Sequence, residues 1–143
     1  MSKSIFAILL VTAIGVLHYC KTHSKGTENI SQSTEHTSQK SLDWDGIYRG
    51  ILPCADCQGI QTTIYLNKNL SYRLTAKYLG RSDSVYDHTG VFSWNKQGNT
   101  ITLHNQPKPN SYFVGEGMLT QLDMNGNKIT GSLAGKYILS KQQ

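Results

Sequence analysis

From residue 44 onward, short runs of alternating or β-branched residues are separated by Gly and Asn, and no stretch keeps a 3.6-residue apolar period with caps. The alternation predicts strands, because successive side chains of an extended chain point to opposite faces. "GIYRGIL" (46–52) is the first. "GIQTTIYL" (59–66) is the second, with Ile60, Thr62, Ile64 and Leu66 on one face. After a tight turn at Asn67, Lys68 and Asn69 comes "LSYRLTAKYL" (70–79), where the alternation is clearest. Tyr72, Leu74, Ala76 and Tyr78 point one way there; Arg73, Thr75 and Lys77 point to water. A polar loop over 80–86 precedes "HTGVFSW" (88–94). "NTITLH" (99–104), "SYFVG" (111–115), "GMLTQLD" (117–123) and "GKYILS" (135–140) follow. Asn125-Gly126 is a strong hairpin-turn signal.

About eight short strands in sequence, mostly joined by short turns, predict an all-β domain: an antiparallel meander closed into a small barrel. A β-sandwich is the alternative. Closure removes the unpaired edges that invite aggregation. An eight-stranded barrel has room for a packed interior or for one small ligand. Tyr72, Tyr78, Phe92 and Trp94 are the aromatics that would line such a cavity, although filled core is the commoner role of aromatics at strand spacing.

The first 43 residues read differently. Lys3 supplies a positive start, and 5–17 is an apolar run too short to span a bilayer and about right for a signal peptide. The run ends at Leu17-His18-Tyr19-Cys20, which resembles the lipobox of bacterial lipoproteins, with Tyr19 standing where a small residue is usual. That resemblance implies cleavage before Cys20 and acylation of Cys20. The alternative is an ordinary signal peptide or a single membrane anchor with an incidental Cys. Two or three acyl chains, at about 0.8 kcal/mol per buried methylene, would hold the protein on a membrane. Lys21 follows in place of the Asp that marks inner-membrane retention, so the expected address is the outer membrane. Residues 20–43 are rich in Ser, Thr, Gln, Asn and His and have Ile30 and Leu42 as their only large aliphatic residues. A flexible tether is expected, because so little apolar surface cannot offset ordering entropy. His23 and His36 are read as solvated. The expected organisation is a signal peptide at 1–19, an acylated Cys and tether at 20–43, and the barrel domain at 44–143.

Composition narrows the function. Residues 44–143 carry ten Lys or Arg against six Asp or Glu, scattered singly, which is no nucleic-acid footprint. No Ser-His-Asp order, telling carboxylate pair or Gly-rich phosphate loop is present, so an enzyme is not expected. The chemistry concentrates in "LPCADCQGI" (52–60). With Cys20 set aside for lipid, Cys54 and Cys57 remain as a pair, and past a signal peptide the compartment is oxidising.

Three readings of that pair stand side by side. Cu(I) is soft and prefers thiolates, so Cys54 and Cys57 could chelate one ion between them. Pro53 pre-orders the approach, and Gly59 lets the chain turn into the next strand. Asp56 is expected to hydrogen-bond loop amides, as such residues do in turns. His88, His104, Met118 and Met124 are possible supplementary ligands that nothing in the sequence brings to the loop. Structural zinc lacks a second pair of ligands. Thiol–disulfide catalysis needs a depressed thiol pKa, commonly from a helix N-terminus, and here the pair leads into a β-run. A local disulfide staple is the third reading. It is compatible with copper, because reduction would expose the thiolates and oxidation would block them.

"GIYRGILPCADCQGIQTTIYL", "YRLTAKYLG", "TGVFSW", "ITL", "LTQLDMNGNKI" and "YIL" resemble the N-terminal domain of the NlpE copper-resistance lipoproteins over nearly all of 44–140. The resemblance implies a lipocalin-like β-barrel on an outer-membrane lipoprotein. It also implies links to copper tolerance and to envelope or surface stress signalled through a Cpx-type sensor kinase. Longer members carry a second, OB-like domain with another cysteine pair, which these 143 residues lack, so a dedicated Cpx-type signalling role is not simply carried over. The alternatives are a lipocalin-like carrier of a small apolar ligand and a structural envelope adaptor.

Overall fold

The computed structural model describes residues 37–81 and 83–143. Cys20, the segment 1–19, His23 and His36 lie outside the described residues. Eight strands run in order: β1 (Gly46–Leu52), β2 (Gly59–Leu66), β3 (Ser71–Leu79), β4 (Val85–Trp94), β5 (Thr100–Leu103), β6 (Ser111–Gly115), β7 (Met118–Gln121) and β8 (Ile138–Lys141). Each pairs antiparallel with the next, and β8 closes on β1 through Tyr48↔Lys141 and Arg49↔Ser140. The barrel is therefore the predicted meander. No helix among the described residues is long and apolar enough to cross a membrane.

The inward face follows the period of two. Tyr48 and Leu52, Ile64 and Leu66, Tyr72 and Leu74, Ile101 and Leu103, Tyr112 and Val114, with Phe92, Leu119 and Leu139, form one buried cluster. Register brings Tyr48, Ile64 and Leu74 side by side across three strands. At the seam Gly50 permits close approach: a Cβ there would stand 2.6 Å from the Ile138 carbonyl and 2.8 Å from a Leu139 methyl.

β5 and β7 are shorter than expected by one or two residues at each end, and four larger differences from the sequence reading each have a local reason. Leu70 is not part of β3, because it adopts a left-handed φ of 64° in the turn after Asn67. β4 starts at Val85, inside the expected loop, since Val85, Tyr86 and Asp87 pair with Lys77, Ala76 and Thr75 while staying exposed. Ladder bonding needs no burial, so polarity hid this extension. The segment 135–137 belongs to a 3₁₀ turn, Ala134–Tyr137. The fourth difference concerns the tether, whose last residues join the fold. Ser38–Ser41 make one helical turn, the Gln39 amide donates to the Gly98 carbonyl at 2.9 Å, and Leu42 packs on the core. Trp44 meets Phe92 and Trp94 edge to face at 5.8 and 5.5 Å, so the segment plugs this end of the barrel. The sequence Asn125-Gly126 does turn, but it supports only one bridge, Leu122↔Lys128, inside the long β7–β8 connection.

Burial pushes the Tyr48 and Tyr112 phenols up to about 12. A phenol held protonated by the fold contributes stability that is fully present below its unfolded value of about 10 and is lost as pH rises through its folded value. Thermal stability is thus expected to fall between about pH 10 and pH 12. Tyr48→Phe should flatten part of that decline, read as melting temperature against pH. A decline of the same steepness in both proteins would show that Tyr48 does not carry it.

Candidate functional site

Antiparallel order puts the β1–β2, β3–β4, β5–β6 and β7–β8 connections on one rim, opposite the Trp44 plug. The cysteine loop is the first of these. Pro53 follows the last residue of β1, and Gly59 opens β2 with φ 146°, where a Cβ would lie 2.5 Å from an Ile51 methyl. Only glycine fits that crossing. Between them Cys54 and Cys57 are disulfide-bonded, with Cα atoms 5.4 Å apart. Cys54 Sγ lies 3.5 Å from Asp56 Oδ1, and Cys57 Sγ 3.3 Å from the Gly59 carbonyl oxygen. Disulfide sulfur has no proton to donate, so these are contacts and not hydrogen bonds.

Asp56 does something the sequence did not suggest. Its carboxylate accepts from Arg81 Nη1 at 2.7 Å, across to the β3–β4 turn, instead of from amides of its own loop. Gln58 contributes a second tie, its backbone N–H donating to the Leu79 carbonyl at 3.1 Å. Both sides of the ion pair are more than half exposed, so it is worth little in stability, about 0.2–1 kcal/mol. Its effect is to fix Asp56 beside the sulfurs. Among the described residues, Cys54, Asp56 and Cys57 form the metal-capable group, their donor atoms all within 4.8 Å of one another.

The supplementary ligands do not join it. His88 sits on exposed β4 opposite Leu74. His104 Nε2 pairs with Ser93 Oγ at 3.0 Å. Met118 begins β7, at the plugged end, and Met124 is exposed in the turn after β7. Of the four aromatics, Tyr72 and Phe92 are core, and Trp94 packs against the plug. Tyr78 instead lines a cavity of about 380 Å³ that opens on the cysteine rim. Arg81 carried no sequence signal, being 25 positions from Asp56. Gln121 did carry one: it is a polar residue at an inward position of β7, two after Leu119, and it is buried.

A small eight-stranded up-and-down barrel with a disulfide-bearing rim loop defines the class. The NlpE N-terminal domain family model matches residues 48–132, and the chain belongs to that family. Lipoprotein NlpE of Escherichia coli (strain K12) is 32% identical over 83 residues, which is 57% of this chain and 35% of that protein. The chain thus spans about a third of that relative's length. A Shewanella oneidensis crystal structure described as a lipoprotein is 47% identical, with a TM-score of 0.69 over 75% of this chain and 96% of that one. Nearly all of that chain matches this barrel. The crystal structure of the Cpx pathway activator NlpE from Escherichia coli is 29% identical, with a TM-score of 0.48 over 61% of this chain and 46% of that one.

Proposed function

We propose that this chain is a cell-envelope lipoprotein, acylated at Cys20 on the outer membrane, that takes part in copper tolerance and envelope-stress sensing through its rim loop. The observation that supports this is the grouping of the half-buried Cys54 and Cys57 with the exposed Asp56 on the rim. In the disulfide form neither sulfur is a thiolate, and Cu(I) finds no soft anionic donor. Two electrons and two protons from a thiol reductant give two thiols, and both then become available to one Cu(I). Arg81 offsets the charge of Asp56, whose carboxylate lies 3.5 Å from Cys54 Sγ and would by itself oppose a second anion there. The loop would thereby report on reducing power and copper together, and a sensor kinase is the class of partner that would read it.

Residues 21–143, reduced with dithiothreitol and then freed of it under anaerobic conditions, should take one Cu(I) from bicinchoninate. The disulfide form should take none. Equal uptake by both forms would sink the redox gate, and no uptake by either would sink the copper site. Mass spectrometry of the mature protein checks the anchor: an unacylated N-terminus at any position other than Cys20 removes it. The cavity on the same rim favours a second reading, a carrier of a small ligand.

A further inference from the structure

The cavity lies inside the barrel mouth. Leu52, Leu74 and Ala76 are among its apolar walls, and the buried Tyr112 and Gln121 line it from β6 and β7. Tyr78 and Tyr86, edge to face at 5.5 Å, flank the opening at the rim ends of β3 and β4. The space exists because β3 places Ala76 where larger side chains fill the layers at Tyr72 and Leu74. At about 30 Å³ per water-sized group, 380 Å³ holds on the order of a dozen heavy atoms. This is the lower end of ligand-cavity size.

The polar groups are unevenly satisfied. Gln121 Nε2 makes only long bonds, 3.3 Å to the Pro109 carbonyl and 3.4 Å to the Tyr112 hydroxyl. Gln106 Nε2 is buried at the cavity wall with no acceptor. A buried donor left without a partner costs about 1–3 kcal/mol, which a ligand oxygen would offset. The charge of the lining is one-sided: Lys108 borders the cavity, and no Asp or Glu does. A cationic ligand would find no counter-charge.

We infer that the barrel mouth binds a small amphipathic monocarboxylate. Its apolar tail lies against Leu52, Leu74 and Ala76, and its carboxylate accepts from Gln106 Nε2 beside Lys108. The tail requires the void above Leu74; the head requires donors without competing anions. The site rests on the small-ligand reading of this cavity and not on the copper reading, and it uses neither cysteine, so copper binding and carboxylate binding can fail separately.

The test titrates residues 21–143, disulfide intact, with monomeric decanoate and with decanol by calorimetry. Both should bind one to one. Lys108→Glu should weaken decanoate by at least about fivefold and leave decanol within about twofold. Ala76→Phe should abolish both, with fold checked by circular dichroism. If that variant does not fold, Ala76→Leu decides by weakening both. Absence of decanoate binding, or binding that survives the Ala76 variants, overturns the site. A Lys108→Glu effect that is equal for acid and alcohol, or missing for both, overturns the head-group placement.

Discussion

Replacing Ile64 by Ala is expected to destabilise the barrel by about 2–5 kcal/mol, towards the upper end of that range. Ile64 is fully buried on β2, between Tyr48 on β1 and Leu74 on β3. Its removal leaves a void inside a closed ring of strands that cannot collapse without breaking ladder bonds, and the cost grows with the residual cavity. Leu74→Ala should cost less, towards the lower end, because Leu74 already faces the mouth cavity and loses fewer contacts. Urea unfolding of both variants at unchanged m-value separates them. Equal losses would mean that the space beside Leu74 is filled in solution. No loss in either would mean that the inward face has been misassigned.

The largest functional effect is expected at the cysteines. In the reduced protein, Cys54→Ser and Cys57→Ser should each lower Cu(I) affinity by at least about a hundredfold. That exceeds the roughly 10–100-fold that follows removal of a group which only positions a ligand. A single thiolate leaves Cu(I) without its second soft donor. The double variant should be little worse than either single one, because the two sulfurs act as a unit and their effects do not add. Stability should respond weakly. A disulfide that closes so short a loop removes little unfolded-state entropy, so its loss should cost less than about 3 kcal/mol. Competition titration against bicinchoninate reads the first effect and chemical unfolding the second. A serine variant that retains wild-type affinity would place the copper site elsewhere or nowhere. Thiol labelling of protein taken directly from the envelope tests the gate: a permanently oxidised pair would make the loop a staple.

The two sites were unequally legible. Cys54 and Cys57 are three positions apart, so chain geometry alone holds them close, and the sequence was enough to pair them. The partner of Asp56 was hidden, because Arg81 reaches it only once β1, β2 and β3 are side by side and the β3–β4 turn folds over the same rim. The cavity was hidden for another reason. Alternation tells which residues face inward, but not whether their volumes fill the ring. Ala76 and Thr62 read as inward positions like any other until the facing strands leave space beside them.

By itself the sequence determined the strand content, the antiparallel meander and most of the core. A period of two fixes the face of every residue, and Gly and Asn fix the turns; both are local. β1, β2 and β6 run over the very residues that the pattern marked. What tertiary structure decided was non-local. It extended β4 over exposed Val85, Tyr86 and Asp87, because a neighbouring strand supplied the ladder. It drew Leu42 and Trp44 onto the barrel end, because Phe92 and Trp94 needed cover. It closed β8 on β1 at Gly50, and it set Asp56 against Arg81. Each of these depends on distances between segments far apart in the chain, which no local propensity encodes and only the closed barrel fixes.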